Sequence, residues 1–563
     1  MKEIVKKVLQ KAILKSFSFF KEKEIPLEFP KNEQFGDVAS SVCLLLSQKL
    51  KRPPKEVAER IMRNLSFKDF ERVEFKEPGF LNFFFSKKFF LRELRRICQK
   101  NWRVKNWGKK KRVLVEFSSP NVAKRFGIGH LRSTIVGEAI CRLFEFLGFE
   151  VLRFNWLGDW GTQFGKLIFE IEKLKKDPKE MSVAEMENLY VRFHEELKKD
   201  PQLEEKGREY FEKLERGEKR VKKIWEVCVK KSKKEFEKIY KLLGVKFDIV
   251  EGESFYEKAA KELAEKLKKE GFAKESEGAL ILEFESLPPA MLRKSDRTTT
   301  YFARDLAAAI ERIKKFQPDM MVYEVGKEQS LHFQQLFAAL NLLGFKNTKF
   351  FHLAHGLYLT KEGKISTRKG ETFHLETILK EARERAKKLL GEGEVKKISE
   401  KEKEKVAEIV GIGALKYNDL KHHPQTDVVF DWQKILNLKG DSGPYLQYTF
   451  VRCQSVFRKG KIKDKVCLEK LKIDSLQKEE FDVLKEVCKF EDKILEATQN
   501  FSPNILCEYL FSLARKFNLF YEKFPILKAQ KEKKDLRLAI TKGVKVILET
   551  GLDLLSIKVP ERM

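Results

Sequence analysis

Cysteine is scarce in this 563-residue chain: eight thiols, at 43, 98, 141, 228, 453, 467, 488 and 507, and no Cys-x-x-Cys among them. That excludes a disulfide framework or a cysteine metal knuckle and suits reduced, buried thiols in a cytoplasm. His352, His355 and His374 fall close together, but no thiolate or carboxylate is spaced to complete a ligand set. They read as core or strand-edge histidines, and no structural metal is expected. Long apolar runs are missing too. Nothing approaches the roughly 20 residues of a membrane span, and Met1 to Phe20 is amphipathic and lysine-punctuated, without the apolar centre of a signal peptide. The expectation is a soluble cytoplasmic protein with no membrane contact. Acidic charge is in deficit, with 115 Lys+Arg against 85 Asp+Glu and a formal charge of +30. Such an excess favours a polyanionic partner, although blocks such as Lys230-Lys231-Ser232-Lys233-Lys234 also serve as solvated helix faces. The length implies several domains, each able to bury a core.

What is present is organised around Ser118-Ser119-Pro120-Asn121-Val122-Ala123-Lys124-Arg125-Phe126-Gly127-Ile128-Gly129-His130-Leu131-Arg132-Ser133-Thr134. Before it, Arg112 to Phe117 reads as a buried strand. After it, Leu131, Ile135, Ala139, Leu143 and Leu147 repeat every four residues, the apolar stripe of a helix. Gly148 closes that helix, and Glu150 to Asn155 starts a second strand. A strand, a glycine-bearing loop and a helix form a mononucleotide-binding unit, with phosphates drawn to the helix N-terminus. His130 stands there, able to donate to a phosphoryl oxygen, while Gly127 and Gly129 are expected to let the backbone come close.

This segment resembles the HIGH signature of class I aminoacyl-tRNA synthetases. Its flanks, Ser-Ser-Pro-Asn-Val-Ala-Lys before and Leu-Arg-Ser-Thr after, are similar to the arginyl-tRNA synthetase family. One position departs, with Gly127 in place of the first His. Further blocks carry the same resemblance: Pro78 to Phe83; Asn155 to Gly165, with its Gly-Asp-Trp-Gly; Arg293 to Ala309; Gly326 to Gln335; Gly413 to Leu420; Gly443 to Tyr448; and the end from Gly551 to Met563. Lys361 to Gly370 resembles the KMSK signature, written Lys364-Ile365-Ser366-Thr367, with Thr367 replacing the second Lys. Lys124 fills the upstream place from which a lysine is thought to substitute.

The resemblance implies three domains. Residues 1–105 would be an N-terminal α/β tRNA-contacting domain, and 106–400 a Rossmann-like catalytic domain with a helical insertion at 171–243. Residues 401–563 would be an all-α anticodon-binding bundle. It implies ligation of arginine to tRNA(Arg) through arginyl-adenylate, with ATP and Mg2+, by a monomer. His130, Lys124 and Lys364 would stabilise charge during catalysis, and Gly127, Gly129, His130, Lys364 and Ser366 would hold ATP. Ser119, Asn121, His130, Tyr301, Asp305 and Gln329 would form the arginine site, with Glu253 a second carboxylate beside Asp305. A guanidinium is a planar fork of donors that a carboxylate meets with two parallel bonds, and Tyr301 and Asp305, four apart, share one helix face. A carboxylate in a first helical turn is also what the helix dipole favours. Asn82 would touch the D-loop side of tRNA, and Tyr445, Tyr448 and Arg452 the anticodon; core packing explains Asn82 and both tyrosines as well. Two other readings stay open: a non-catalytic tRNA-binding paralogue, suggested by Gly127 and Thr367, and a class I synthetase for another amino acid.

Overall fold

Short runs of β-branched and large apolar residues bounded by turns make the central sheet of residues 105–445. The computed structural model describes residues 1–17, 25–99, 102–360, 363–364, 374–390, 399–462, 471 and 476–563, with 360, 363 and 364 as backbone only. Five strands, β1 (Arg112–Glu116), β2 (Glu150–Leu157), β3 (Ile249–Gly252), β4 (Met320–Gly326) and β5 (Lys349–His355), lie in the order β5-β4-β1-β2-β3. Every pairing is parallel. The first crossover runs through α1 (Ile128–Phe146), joining β1 to β2. The chain then passes through α2 (Lys219–Leu243), which precedes β3, and α3 (Tyr301–Phe316), which precedes β4. A further crossover, α4 (Ser330–Leu342), joins β4 to β5. Strand order therefore reverses between β1 and β4, the position at which open α/β sheets bind ligands beyond their carboxyl ends. On one face, Leu114, Phe154 and Met321 pack with Leu306 and Ala309 of α3 and Leu336 of α4. Val113 and Val115 are buried on the opposite face, as strand alternation requires.

The chain divides into two compact units. One comprises 105–445, 501–504 and 552–563, and the other 1–104, 446–500 and 505–551. The expected break at 400/401 therefore differs from the observed one at 445/446. The reason is α6 (Glu400–Leu420), which follows α5 (Leu375–Leu390). Its Lys416 Nζ donates to the Leu243 carbonyl, closing α2, and to Ser556 Oγ at 3.0 Å. Its Asp419 lies 3.6 Å from Arg132 of α1, both nearly inaccessible, and accepts from the Tyr358 hydroxyl. Removing one partner of such a pair leaves a buried charge and costs about 3–5 kcal/mol. Asp419→Ala is expected to lower the thermal midpoint by several degrees; an unchanged midpoint would remove this pair from the account.

In the other unit, Val38–Ser40 is a strand and Val42–Leu50 the helix that follows it. Val38, Ala39 and Ser40 are all buried and pair antiparallel with Phe83, Asn82 and Leu81. Asp37 accepts from the Phe85 amide at 2.8 Å. Phe70–Lys76 and Phe80–Phe85 complete this three-stranded sheet. Lys478–Cys488, Phe490–Gln499, Pro503–Lys523 and Lys531–Leu554 supply most of the helices of 446–551.

Candidate active site

Two clusters stand near the carboxyl edge of the sheet. The first is the loop from Ser118 to Gly127 and the start of α1. Ser118, Ser119 and Ala123 all adopt positive φ, so the loop needs external support. Much of that support comes from α2: Ser232 Oγ accepts from the Ala123 amide at 2.9 Å, and the Tyr240 hydroxyl lies 2.8 Å from Ser118 Oγ. From α1, Ser133 Oγ accepts from the Ser118 amide at 2.9 Å, and Thr134 Oγ1 lies 2.8 Å from Ser118 Oγ. Thr134 in turn donates to the His130 carbonyl at 2.6 Å. Val122 donates to the Gly158 carbonyl and Gly158 to that of Pro120, both at 3.1 Å, which fixes Asn121 beside β2 with its side chain exposed.

His130 Nδ1 accepts the Gly127 amide at 3.1 Å. An amide only donates, so the ring proton sits on Nε2, free to donate outward. Burial and the Lys124 charge lower the imidazole pKa to about 4, so the ring is neutral at physiological pH. Lys124 is itself lowered by burial, and its ammonium lies 4.8 Å from the Tyr190 ring. The Ser119 hydroxyl is buried and has no hydrogen-bond partner among the described residues. Gly127 and Gly129 both lack positive φ, and a Cβ at Gly127 would meet only His130 Nδ1, at 3.9 Å, and at Gly129 nothing. No backbone strain therefore calls for glycine at either position, and both leave open space at the helix N-terminus.

The second cluster is a group of carboxylates around the first turns of α3. Glu116, at the end of β1, is buried and bound by Arg312, whose guanidinium also lies 3.7 Å from the centre of the Phe154 ring. Glu253 accepts from Arg304 Nε at 3.0 Å, and Glu257 lies 3.4 Å from the same guanidinium. Burial raises the Glu253 pKa to about 7, with Arg304 opposing and the Asp305 charge adding. Glu253 thus has an internal guanidinium already, unlike the second substrate contact that sequence suggested. Asp305 differs from all three. Among the described residues it pairs with no Lys or Arg; His332 Nε2 lies 2.7 Å from its Oδ2, and its side chain is 10% exposed. The His332 ring lies 4.6 Å from that of Tyr301, which burial and then the Asp305 charge raise well above the usual phenol range.

Strand β4 contacts the first cluster, and the helix after it the second. Glu324, fully buried near the end of β4, accepts from Ser133 of α1 and, at 2.9 Å, from His355 Nδ1. Beyond β4 the chain reaches Gln329, exposed on a short turn, and then His332. His352 lies stacked on Phe333 at 4.5 Å, and His374 forms a backbone bridge to Gly127. Asp159, in the Gly-Asp-Trp-Gly block, accepts from the Ser254 amide and hydroxyl at 2.9 and 2.8 Å, tying the end of β2 to the segment after β3.

Other expected residues stand apart or unseen. Asn82 is 1% exposed inside its sheet, so its placement does not offer the base contact expected of it. Tyr445 is half-buried. Tyr448 is 39% exposed, and the Arg452 guanidinium lies 5.0 Å from its ring centre and 4.9 Å from that of Tyr521. Ser366 and most of the KMSK-like loop lie outside the described residues. Of Lys364 only the backbone is described, paired with Leu359. Sequence reasoning missed His332, Ser232 and Tyr240; the Gln-x-x-His step from Gln329 was the one local signal for the first.

Known proteins resemble this chain along its length. Residues 93–432 match the family described as tRNA synthetases class I (R), catalytic domain. Residues 446–563 match the DALR anticodon binding domain, and 1–85 the arginyl tRNA synthetase N terminal domain. An arginine–tRNA ligase of Halothermothrix orenii is 38% identical over 551 residues, 95% of each chain. Arginine–tRNA ligase 2 of Bacillus anthracis is 39% identical over 549 residues, again 95% of each. The crystal structure of arginyl-tRNA synthetase from Plasmodium falciparum superposes with a TM-score of 0.86 at 27% identity, covering 100% of this chain and 99% of that one. The Thermus thermophilus arginyl-tRNA synthetase gives 0.83 at 25% identity, covering 99% and 100%.

Proposed function

The chain belongs to the arginyl-tRNA synthetases of class I, and on that premise we propose how its residues divide the joining of arginine to tRNA. ATP, carrying Mg2+ on its phosphates, lies against the N-terminus of α1, over the space that Gly127 and Gly129 leave. His130 Nε2–H and the Lys124 ammonium stabilise the charge developing on the phosphates, with Lys364 and Ser366 approaching from the following loop. The arginine carboxylate attacks the α-phosphorus in line. A P–O bond forms, the bond to pyrophosphate breaks, and arginyl-adenylate results. A ribose hydroxyl of the terminal adenosine of tRNA then attacks the carbonyl and releases AMP. Ser119, Asn121 and Gln329 hold the amino-acid end, and Tyr301 flanks the guanidinium. Arg452 and Tyr448 meet unpaired anticodon bases. The enzyme acts as a cytoplasmic monomer.

One observation carries the choice of arginine. Of the carboxylates around α3, Glu116, Glu253 and Glu257 are matched by the chain's own Arg312 and Arg304, and Asp305 is not. A site that binds three of its carboxylates to internal guanidinium groups and leaves the fourth to an imidazole is built to admit one more guanidinium. The test is charging of tRNA with each amino acid in a panel. Charging with arginine alone supports this reading, and pyrophosphate exchange with no amino acid, even with tRNA present, would sink it.

His332 is a positioning residue in this scheme, since it aims the carboxylate and flanks Tyr301 without touching the reacting atoms. A hydrogen bond to a charged group is worth about 1.5–3 kcal/mol. His332→Ala is therefore expected to raise the KM for arginine by about ten- to a hundredfold with kcat and the KM for ATP little changed. Partial rescue by His332→Asn would distinguish aiming from bulk packing, and an unchanged KM for arginine would dismiss the role.

A further inference from the structure

Apart from the proposed active site, a cavity of about 910 Å³ opens between α1, α2, β2 and β3. Its apolar walls include Leu157, Phe236, Tyr240, Val245 and Phe247, and the Tyr240 and Phe247 rings lie 4.9 Å apart. The volume and the aromatic lining are those of small-molecule sites. One polar group in the wall is unsatisfied. Asn155 is 1% exposed; its Nδ2 donates to the Tyr240 hydroxyl at 2.9 Å, while its Oδ1 is buried without a partner. A buried acceptor of this kind costs free energy until a donor arrives. The charges on the lining are unevenly spent. Glu138 binds Arg142 and Arg153, Glu145 binds Arg153, and Asp248 accepts from the Arg153 amide. Lys233, Lys241 and Lys246 make no ion pair among the described residues, and neither does Glu237, so three lysines against one carboxylate leave the opening with a net positive charge.

The helix that walls this cavity is also the one that braces the nucleotide loop. Lys233, Phe236, Glu237, Tyr240 and Lys241 of α2 line the cavity. The same helix holds Ala123 through Ser232 and Ser118 through Tyr240. From the cavity wall, hydrogen bonds run Asn155, Tyr240, Ser118, Thr134 and on to the His130 carbonyl without a break.

We propose that this cavity is a second ligand site, for a small aromatic anion with a hydrogen-bond donor, and that its occupation tightens the nucleotide loop through Tyr240. The ring lies between the aromatic walls, the acidic group meets the lysines, and the donor satisfies Asn155 Oδ1. Anchoring Asn155 holds the Tyr240 hydroxyl on Ser118, so ATP finds a loop already ordered. Binding itself is independent of the catalytic reading; only the transmission to ATP rests on it.

Anilinonaphthalene sulfonate, an aromatic anion with an N–H donor, is the probe, titrated against the full chain by fluorescence. Expected are saturable binding that persists with ATP and arginine present, and its loss in Val250→Trp, which places an indole in the opening from an exposed edge-strand position. In pyrophosphate exchange the dye lowers the KM for ATP about fivefold, the smaller end of ordinary coupling, and Val250→Trp keeps the dye-free rates. Tyr240→Phe still binds the dye, but its KM for ATP no longer responds. Displacement by ATP or arginine, or equal binding to Val250→Trp, overturns the site. Binding with no change in the KM for ATP overturns the coupling. A protein that binds dye as expected but never exchanges pyrophosphate would instead fail the catalytic reading.

Discussion

Asp305→Asn lowers kcat/KM for arginine by about thirty-fold to several thousand-fold, the equivalent of about 2–5 kcal/mol for stranding one member of a desolvated charge pair. The carboxylate is 10% exposed and held by His332, so water cannot replace what the guanidinium loses. Asparagine keeps the shape and one acceptor oxygen but presents donors where the guanidinium also presents donors. The flanking carboxylates cannot step in, because Arg312 and Arg304 hold them. The KM for ATP should stay within about twofold, since His130 and Lys124 lie on a different loop. Arginine kinetics unaltered by the substitution would place the guanidinium elsewhere.

His130→Ala should lower kcat by about a hundred- to a thousandfold, the usual cost of removing one donor aimed at developing charge, about 3–4 kcal/mol. The KM values should change little, because the interaction strengthens in the transition state. The fold should survive, since the side chain's hydrogen bond within the protein is to the Gly127 amide. The sign of the pH dependence follows from the lowered pKa. A histidine held down to about 4 is neutral above that value, so between about pH 5 and 8 His130 contributes no titration limb to kcat. A limb near pH 6.5 that disappears in His130→Ala would mean the ring is solvated and its proton is not fixed on Nε2. His130→Gln, whose amide nitrogen can reach toward the Nε2 position, should recover part of the loss.

Much of this was open to reading along the chain, and the failures share a cause. Strand, loop and helix from Arg112 to Phe146 follow from apolar periodicity, a local property, so His130 could be placed at a helix N-terminus before any coordinates. Tyr301 and Asp305 share a face because helical spacing is local too. What escaped is long-range. His332 meets Asp305 across 27 residues, and Arg312 meets Glu116 across 196. No periodicity encodes either pairing, so Glu253 could be read as a second, weaker contact beside Asp305. The bracing of the nucleotide loop by Ser232 and Tyr240 came from a lysine-rich stretch that composition marks as a solvated face, and only one side of α2 is one. Val38 to Ser40 run directly into a helix yet pair as a strand with Leu81 to Phe83, a long-range contact that no local pattern encodes. Asn82 is buried although it shares its strand face with the partly exposed Phe80 and Phe84, and a strand of four phenylalanines gave no way to tell which face was wet.

The central claim is that Asp305 reads the positive charge of the substrate side chain in the site that uses ATP. Citrulline keeps the shape of arginine and lacks the charge, so the most direct measurement is tRNA-dependent pyrophosphate exchange with each, in the wild type and in Asp305→Asn. The account predicts a preference for arginine of at least about a thousandfold in the wild type, collapsing toward parity in the variant as arginine loses its partner and citrulline does not. A preference that survives the substitution undiminished would contradict it.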